Sequence, residues 1–125
     1  MIRFYRCLHC GAIVAKLNEV GPKPVCCGEP MMELKAGATE AATEKHIPVV
    51  TKEGNLVTAV VGSVLHPMAE DHYIEWLYFD TTKGGTFRFL KPGDEPKATI
   101  VLEEGEELKG VYSYCNKHGL WAATL

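Results

Sequence analysis

From Ile47 onward, short apolar runs alternate with breaks rich in glycine, proline and asparagine, a rhythm that predicts strands and shows no helical period. Ile47-Pro48-Val49-Val50 leads through a Lys52-Glu53-Gly54-Asn55 turn into Leu56-Val57-Thr58-Ala59-Val60-Val61, which predicts a hairpin. The aromatic run His72-Tyr73-Ile74-Glu75-Trp76-Leu77-Tyr78-Phe79 follows, then a Lys83-Gly84-Gly85 turn and Thr86-Phe87-Arg88-Phe89-Leu90. After the Lys91-Pro92-Gly93-Asp94 turn come Ala98-Thr99-Ile100-Val101-Leu102, Leu108-Lys109-Gly110-Val111-Tyr112-Ser113-Tyr114 and Leu120-Trp121-Ala122-Ala123. About seven short strands separated by turns predict a mainly β fold, a β-sandwich.

Residues 1–36 do not share this pattern. They hold Cys7-Leu8-His9-Cys10-Gly11 and, after Gly21-Pro22-Lys23-Pro24, the adjacent pair Cys26-Cys27-Gly28. The small, polar stretch Ala36-Gly37-Ala38-Thr39-Glu40-Ala41-Ala42-Thr43 has the composition of a linker. Two domains are therefore expected, a cysteine-rich knuckle over 1–36 and a β-sandwich over 37–125.

At 125 residues and 46% hydrophobic content the chain supports one ordinary core, so a second module this small needs a metal to fold. A formal net charge of -3, with the basic residues scattered, argues against nucleic acid or an anionic membrane as partner. No apolar run reaches eighteen residues, and Met1-Ile2-Arg3-Phe4-Tyr5-Arg6-Cys7 lacks the apolar core of a secretory signal. A soluble cytoplasmic protein is expected. In that setting five cysteines, an odd number, favour metal binding over disulfides.

Cys7, Cys10, Cys26 and Cys27 lie on two loops that each end in glycine, and together they offer four thiolates to one tetrahedral ion. Neighbouring side chains of a strand point apart, so Cys26 and Cys27 share an ion only across a sharp turn. That distortion favours a redox iron over a structural zinc, with a zinc ribbon as the alternative. His9 is expected to be a solvated turn residue.

Downstream, Cys115 and His118 sit three residues apart in Tyr114-Cys115-Asn116-Lys117-His118-Gly119, a spacing that lets a thiolate and an imidazole reach one ion. His46, His66 and His72 each fall at the start of a strand or in a loop, where side chains converge beyond the edge of a sandwich. Four imidazoles and a thiolate exceed the four ligands zinc prefers and suit an iron with one position open.

Taken in order, Cys7-x-x-Cys10 with Cys26-Cys27, Glu44-Lys45-His46, His66-Pro67-Met68, His72-Tyr73-Ile74-Glu75-Trp76, Phe89-Leu90-Lys91-Pro92-Gly93-Asp94 and Tyr114-Cys115-Asn116-x-His118-Gly119 resemble the desulfoferrodoxins, the two-iron form of superoxide reductase. The resemblance covers nearly the whole chain; Leu65 and Tyr73 stand where close relatives are associated with proline and tryptophan. It implies a desulforedoxin-like iron site at Cys7, Cys10, Cys26 and Cys27. It also implies an immunoglobulin-like β-sandwich whose iron is held by His46, His66, His72, His118 and Cys115.

The implied reaction is one-electron reduction of superoxide to hydrogen peroxide, with a rubredoxin as electron donor, in a homodimer. Glu44 is similar to the family glutamate that ligates the ferric resting state. Lys45, beside His46, would draw the anionic substrate toward the metal. Two readings from other classes remain open on the residues alone: a rubredoxin-like electron carrier, and a zinc-stapled β-sandwich that serves as a binding module.

Overall fold

The computed structural model describes residues 2–124, and the chain parts into two compact units between Lys35 and Ala36. Met1 and Leu125, the outer ends of the two expected domains, lie outside the described residues.

Among the described residues the first unit contains five short strands: β1 (Arg3–Arg6), β2 (Ile13–Lys16), β3 (Val25–Cys26), β4 (Glu29–Pro30) and β5 (Met32–Leu34). Strand β1 lies between β2 and β5 in an antiparallel sheet, and β3 pairs with β4 in a separate two-residue hairpin. The core of this unit is a cluster of Tyr5, Cys7 and Met31 with Cys26 packed against it. The sequence pattern did not reveal the sheet, because strands of two to four residues are too short to display alternation.

The second unit opens with α1 (Thr43–His46), a single helical turn, followed by β6 (Pro48–Glu53), β7 (Leu56–Val61), β8 (Ile74–Thr81), β9 (Gly84–Phe89), β10 (Lys97–Val101), β11 (Leu108–Cys115) and β12 (Gly119–Thr124). These seven strands form two antiparallel sheets, one in the order β10-β7-β6 and one in the order β12-β11-β8-β9. Val57, Ala59, Val61 and Ile100 of the first sheet interlock with Ile74, Leu77, Phe79, Val111 and Cys115 of the second in a single buried cluster. This is the β-sandwich that the alternation predicts, of the immunoglobulin-like kind that the resemblance implies. Trp76 and Tyr78 point to the opposite face of β8, where Trp76 stacks on Tyr114 with ring centres 5.4 Å apart.

Two local features aim the site. Along β8 and β11 the register runs Trp76↔Tyr114 and then Ile74↔Cys115, so Glu75 is left as an extra residue on β8, a bulge that turns Ile74 into the core opposite Cys115. Three residues, Asn116, Lys117 and His118, then connect β11 to β12, closed by Gly119 at a φ of 80°. That left-handed value, at the first residue of β12 directly after the loop, suits glycine.

Helix α1 departs from the expectation that His46 opens a strand. Ile47 N–H donates to Thr43 O at 3.0 Å, closing one turn, and β6 starts only at Pro48. One turn is too short to register as a helical period.

Candidate metal centres

In the first unit the Sγ atoms of Cys7, Cys10, Cys26 and Cys27 all lie within 4.8 Å of one another. Cys10 Sγ is 3.7 Å from Cys26 Sγ, and Cys26 Sγ is 4.0 Å from Cys27 Sγ. Sulfurs bound tetrahedrally at about 2.3 Å from an ion stand about 3.8 Å apart, so the four are already spaced for one. The adjacent pair reaches this spacing because Cys27 takes a φ of 52°, a conformation rare outside glycine. Cys10 N–H points at Cys7 Sγ at 3.5 Å and, as the largest influence, holds the Cys7 thiol down to about 6, which readies it as a thiolate. Proton sharing with Cys10 pushes Cys26 the other way, to about 12. Cys7 is buried, whereas Cys10 and Cys27 are exposed. His9 is exposed and meets Glu29 at 2.9 Å.

In the second unit His46, His66, His72 and His118 form a closed ring of edge-to-face imidazoles. Neighbouring ring centres are 4.7 Å apart for His46–His66, 4.8 Å for His66–His72, 5.1 Å for His72–His118 and 4.9 Å for His46–His118. Ligand atoms of His46, His66, His72 and Cys115 all lie within 4.8 Å of one another. His118 joins them with Nδ1 3.1 Å from His46 Nε2 and 4.0 Å from Cys115 Sγ. The donors come from α1, the loop after β7, the loop before β8, the end of β11 and the β11–β12 turn.

The contacts around this ring fix which nitrogens face inward. His46 Nδ1 meets Ala42 O at 2.7 Å and His66 Nδ1 meets Pro67 O at 2.7 Å; with a carbonyl as acceptor, each Nδ1 donates, leaving the Nε2 lone pair free. Those two Nε2 atoms then face each other at 3.2 Å. Ser113 Oγ, fully buried, donates to His46 O at 2.8 Å. Trp121 stacks on His46 at 4.9 Å, and its Nε1 donates to His118 O at 3.0 Å. A Cβ on Gly62 would come within 2.6 Å of Glu44 O and 2.9 Å of Ile47 O, so glycine there lets the loop bearing His66 pack against α1.

Such a cluster is poorly satisfied as protein alone. Among the described residues His72 Nε2 is buried without a hydrogen-bond partner, and the lone pairs of His46 and His66 point at one another. A cation resolves both defects. Burial drives the His66 imidazole down to about 4 and lowers His46 and His72 as well, so the rings are neutral and ready to ligate near pH 7. Burial raises the Cys115 thiol, which backbone N–H groups of Lys117 and His118 partly offset. Metal entry at Cys115 must therefore expel a proton. Nitrogens at right angles about 2.1 Å from an ion stand about 3 Å apart, close to the 3.1 and 3.2 Å found here.

Against known families, the chain matches the model for desulfoferrodoxin over residues 38–124 and that for the desulfoferrodoxin N-terminal domain over residues 2–34. The chain belongs to the desulfoferrodoxin family. It is 44% identical to the desulfoferrodoxin of Nitratidesulfovibrio vulgaris, over 95% of this chain and 93% of that one. A desulfoferrodoxin homologue from Archaeoglobus fulgidus is 42% identical, over 97% and 95% of the two chains. Among solved structures, a superoxide reductase from Treponema pallidum aligns over 99% of both chains with a TM-score of 0.84 and 32% identity.

In this chain Glu44 and Lys45 occupy α1 with exposed side chains. The Glu44 carbonyl is engaged by Val64 N–H at 2.9 Å and Ser63 Oγ at 3.3 Å, which ties α1 to the loop after β7. Reading the sequence alone passed over Ser113, Trp121 and Gly62. Ser113 carried a signal, since it shares the inward register of Val111 and Cys115 and a lone hydroxyl there needs a buried acceptor. Gly62 carried none, because its neighbours across the fold are remote in sequence.

Proposed function

We propose that this chain is a superoxide reductase that converts superoxide to hydrogen peroxide with one electron and two protons. The reading assigns one iron to His46, His66, His72, His118 and Cys115 and a second to Cys7, Cys10, Cys26 and Cys27. The domains follow, a desulforedoxin-like iron domain over 1–36 and a reductase domain over 37–125. The single observation that carries the assignment is the closed ring of four imidazoles with the Cys115 sulfur beside it. Superoxide reductases from Treponema pallidum and Giardia intestinalis, with TM-scores of 0.84 and 0.53, support it. A rubredoxin-like carrier or a zinc-stapled binding module leaves this five-donor cluster without a role.

When bound, iron supplies the electron by cycling between its ferrous and ferric states. The residues do the rest. Imidazoles ligate a metal in their neutral form and Cys115 would contribute one negative charge as a thiolate, so the five donors would leave a ferrous ion a net charge near +1, which favours a small anion. Backbone N–H groups of the β11–β12 turn steady the charge on Cys115 Sγ; His118 N–H lies 3.4 Å from it. Lys45 Nζ, exposed beside His46, adds positive potential at the approach. Glu44, equally exposed, would serve as a ligand in the resting state and not as the essential acid.

The electron donor proposed is a rubredoxin or a similar small redox protein, and the chain is proposed to work as a cytoplasmic homodimer. No described helix is long and apolar enough to cross a membrane. The test measures peroxide formed per superoxide consumed, with an external donor present. One peroxide per superoxide is expected; one per two superoxides marks a dismutase and overturns the reading.

A further inference from the structure

His46 and His66 each have a ring nitrogen tied to a backbone carbonyl, and His118 sits on the same turn as Cys115. His72 has neither support. Half-buried just ahead of β8, its ring makes no hydrogen bond among the described residues, and its Nε2 is buried without a partner. A ring with no second hydrogen bond makes a weaker ligand, and among the described residues the His72 backbone is bonded only to Ala69 in its own loop, at 3.0 and 3.1 Å, so its placement against the Cys115 turn must come from another contact.

Asn116 spans the gap. Its Oδ1 accepts from Tyr73 N–H at 2.9 Å, its Nδ2 donates to Asp71 O at 3.1 Å, and its own N–H donates to Tyr73 O at 3.2 Å. Those contacts grip the residues on both sides of His72 and leave the imidazole between them free to face the cluster. Asn116 directly follows Cys115, where the bulge ends regular pairing of β11 with β8. A side-chain amide supplies donor and acceptor together at this reach, so it continues the ladder that the bulge interrupts. Lys117 also faces Asp71, but at 3.9 Å with both side chains exposed that pair adds little.

We propose that Asn116 is a positioning residue that clamps the backbone around His72 to the Cys115 turn and thereby sets the fourth imidazole against the thiolate. The proposal rests on the reading of this cluster as an iron centre. Asn116 does not touch the ion; it acts through His72.

The test is anoxic titration of the full chain with ferrous iron against a competing chelator, with absorption of the four-cysteine iron as internal reference. Asn116→Ala should weaken binding at the histidine centre about tenfold or more and leave the four-cysteine iron unchanged. Lys117→Ala should stay within about twofold of the parent. In a His72→Ala background, Asn116→Ala should have no further effect. Parent-like affinity in Asn116→Ala overturns the proposal, as does an equal loss with His72 already removed, which would mark general loosening. Should Asn116→Ala fail to fold, Asn116→Ser, too short to span to both partners, carries the same comparison. A parent chain that takes up iron only at the four cysteines overturns the iron reading itself.

Discussion

In the first unit four sulfurs come from two loops within twenty-one residues of chain, around a core of Tyr5, Cys7 and Met31. In the second, His46 and His118 are 72 residues apart and meet at 3.1 Å, on a sandwich whose buried cluster of ten residues extends through both sheets. The first cluster is local and its fold is slight; the second is non-local and its fold is substantial. Closing a few short loops costs little entropy, so cysteines can gather around an ion with almost no scaffold. Five donors drawn from distant segments need a scaffold that stands without the ion. The ion should therefore help build the first unit, whereas the second unit builds a place for its ion.

Metal removal probes that contrast most strongly. Cys10→Ser, or chelation of the four-cysteine ion, should unfold the first unit, since structural metal binding is worth on the order of 10 kcal/mol. Hydrogen exchange should show β1 and β2 losing protection while β7 and β8 keep theirs. Superoxide reduction should persist in Cys10→Ser. Loss of protection in β8 would break the comparison.

Next in size, Ser113→Ala leaves the His46 carbonyl buried without its donor and should cost the second unit about 1–3 kcal/mol, read by denaturant unfolding. The first unit's iron spectrum should not change.

Acid sharpens the contrast in the metal-free state. The His66 imidazole lies at about 4 when folded and near 6.5 when unfolded, so below about pH 6.5 the unfolded chain takes up a proton that the folded chain refuses. Stability of the metal-free second unit should be fully present above about 6.5, decline as pH falls toward about 4, and level off beneath that. A thermal melt series checks this, and a midpoint that does not move across the window counts against burial of His66.

The smallest effect expected is kinetic. Lys45→Ala should slow the second-order reaction with superoxide several-fold, up to about tenfold, at low salt and flatten its ionic-strength dependence. Fast-mixing kinetics at two salt concentrations measure it, and an unchanged low-salt rate removes Lys45 from steering.

The seven strands of the sandwich were legible because each is long enough to alternate apolar and polar positions or to form an aromatic run. Cys7, Cys10, Cys26 and Cys27 were legible for a different reason, their own spacing, which is local. The four histidines could be gathered only by their shared position at strand ends and by family resemblance, since no spacing rule joins His46 to His118. The strands of the first unit and helix α1 were not legible, being shorter than the periods that would reveal them. Nor were the supports: Trp121 reads as an ordinary core aromatic until the fold sets it against His46, and Asn116 reads as a turn residue until Asp71 and Tyr73 come beside it.

The stacking of Trp121 on His46 makes the protein its own optical gauge. An indole excited this close to a paramagnetic ion returns to its ground state without emitting, and its light returns when the ion departs. Near-ultraviolet emission should then track filling of the histidine centre in real time, with no added dye, and replacing Trp121 by phenylalanine should silence that signal.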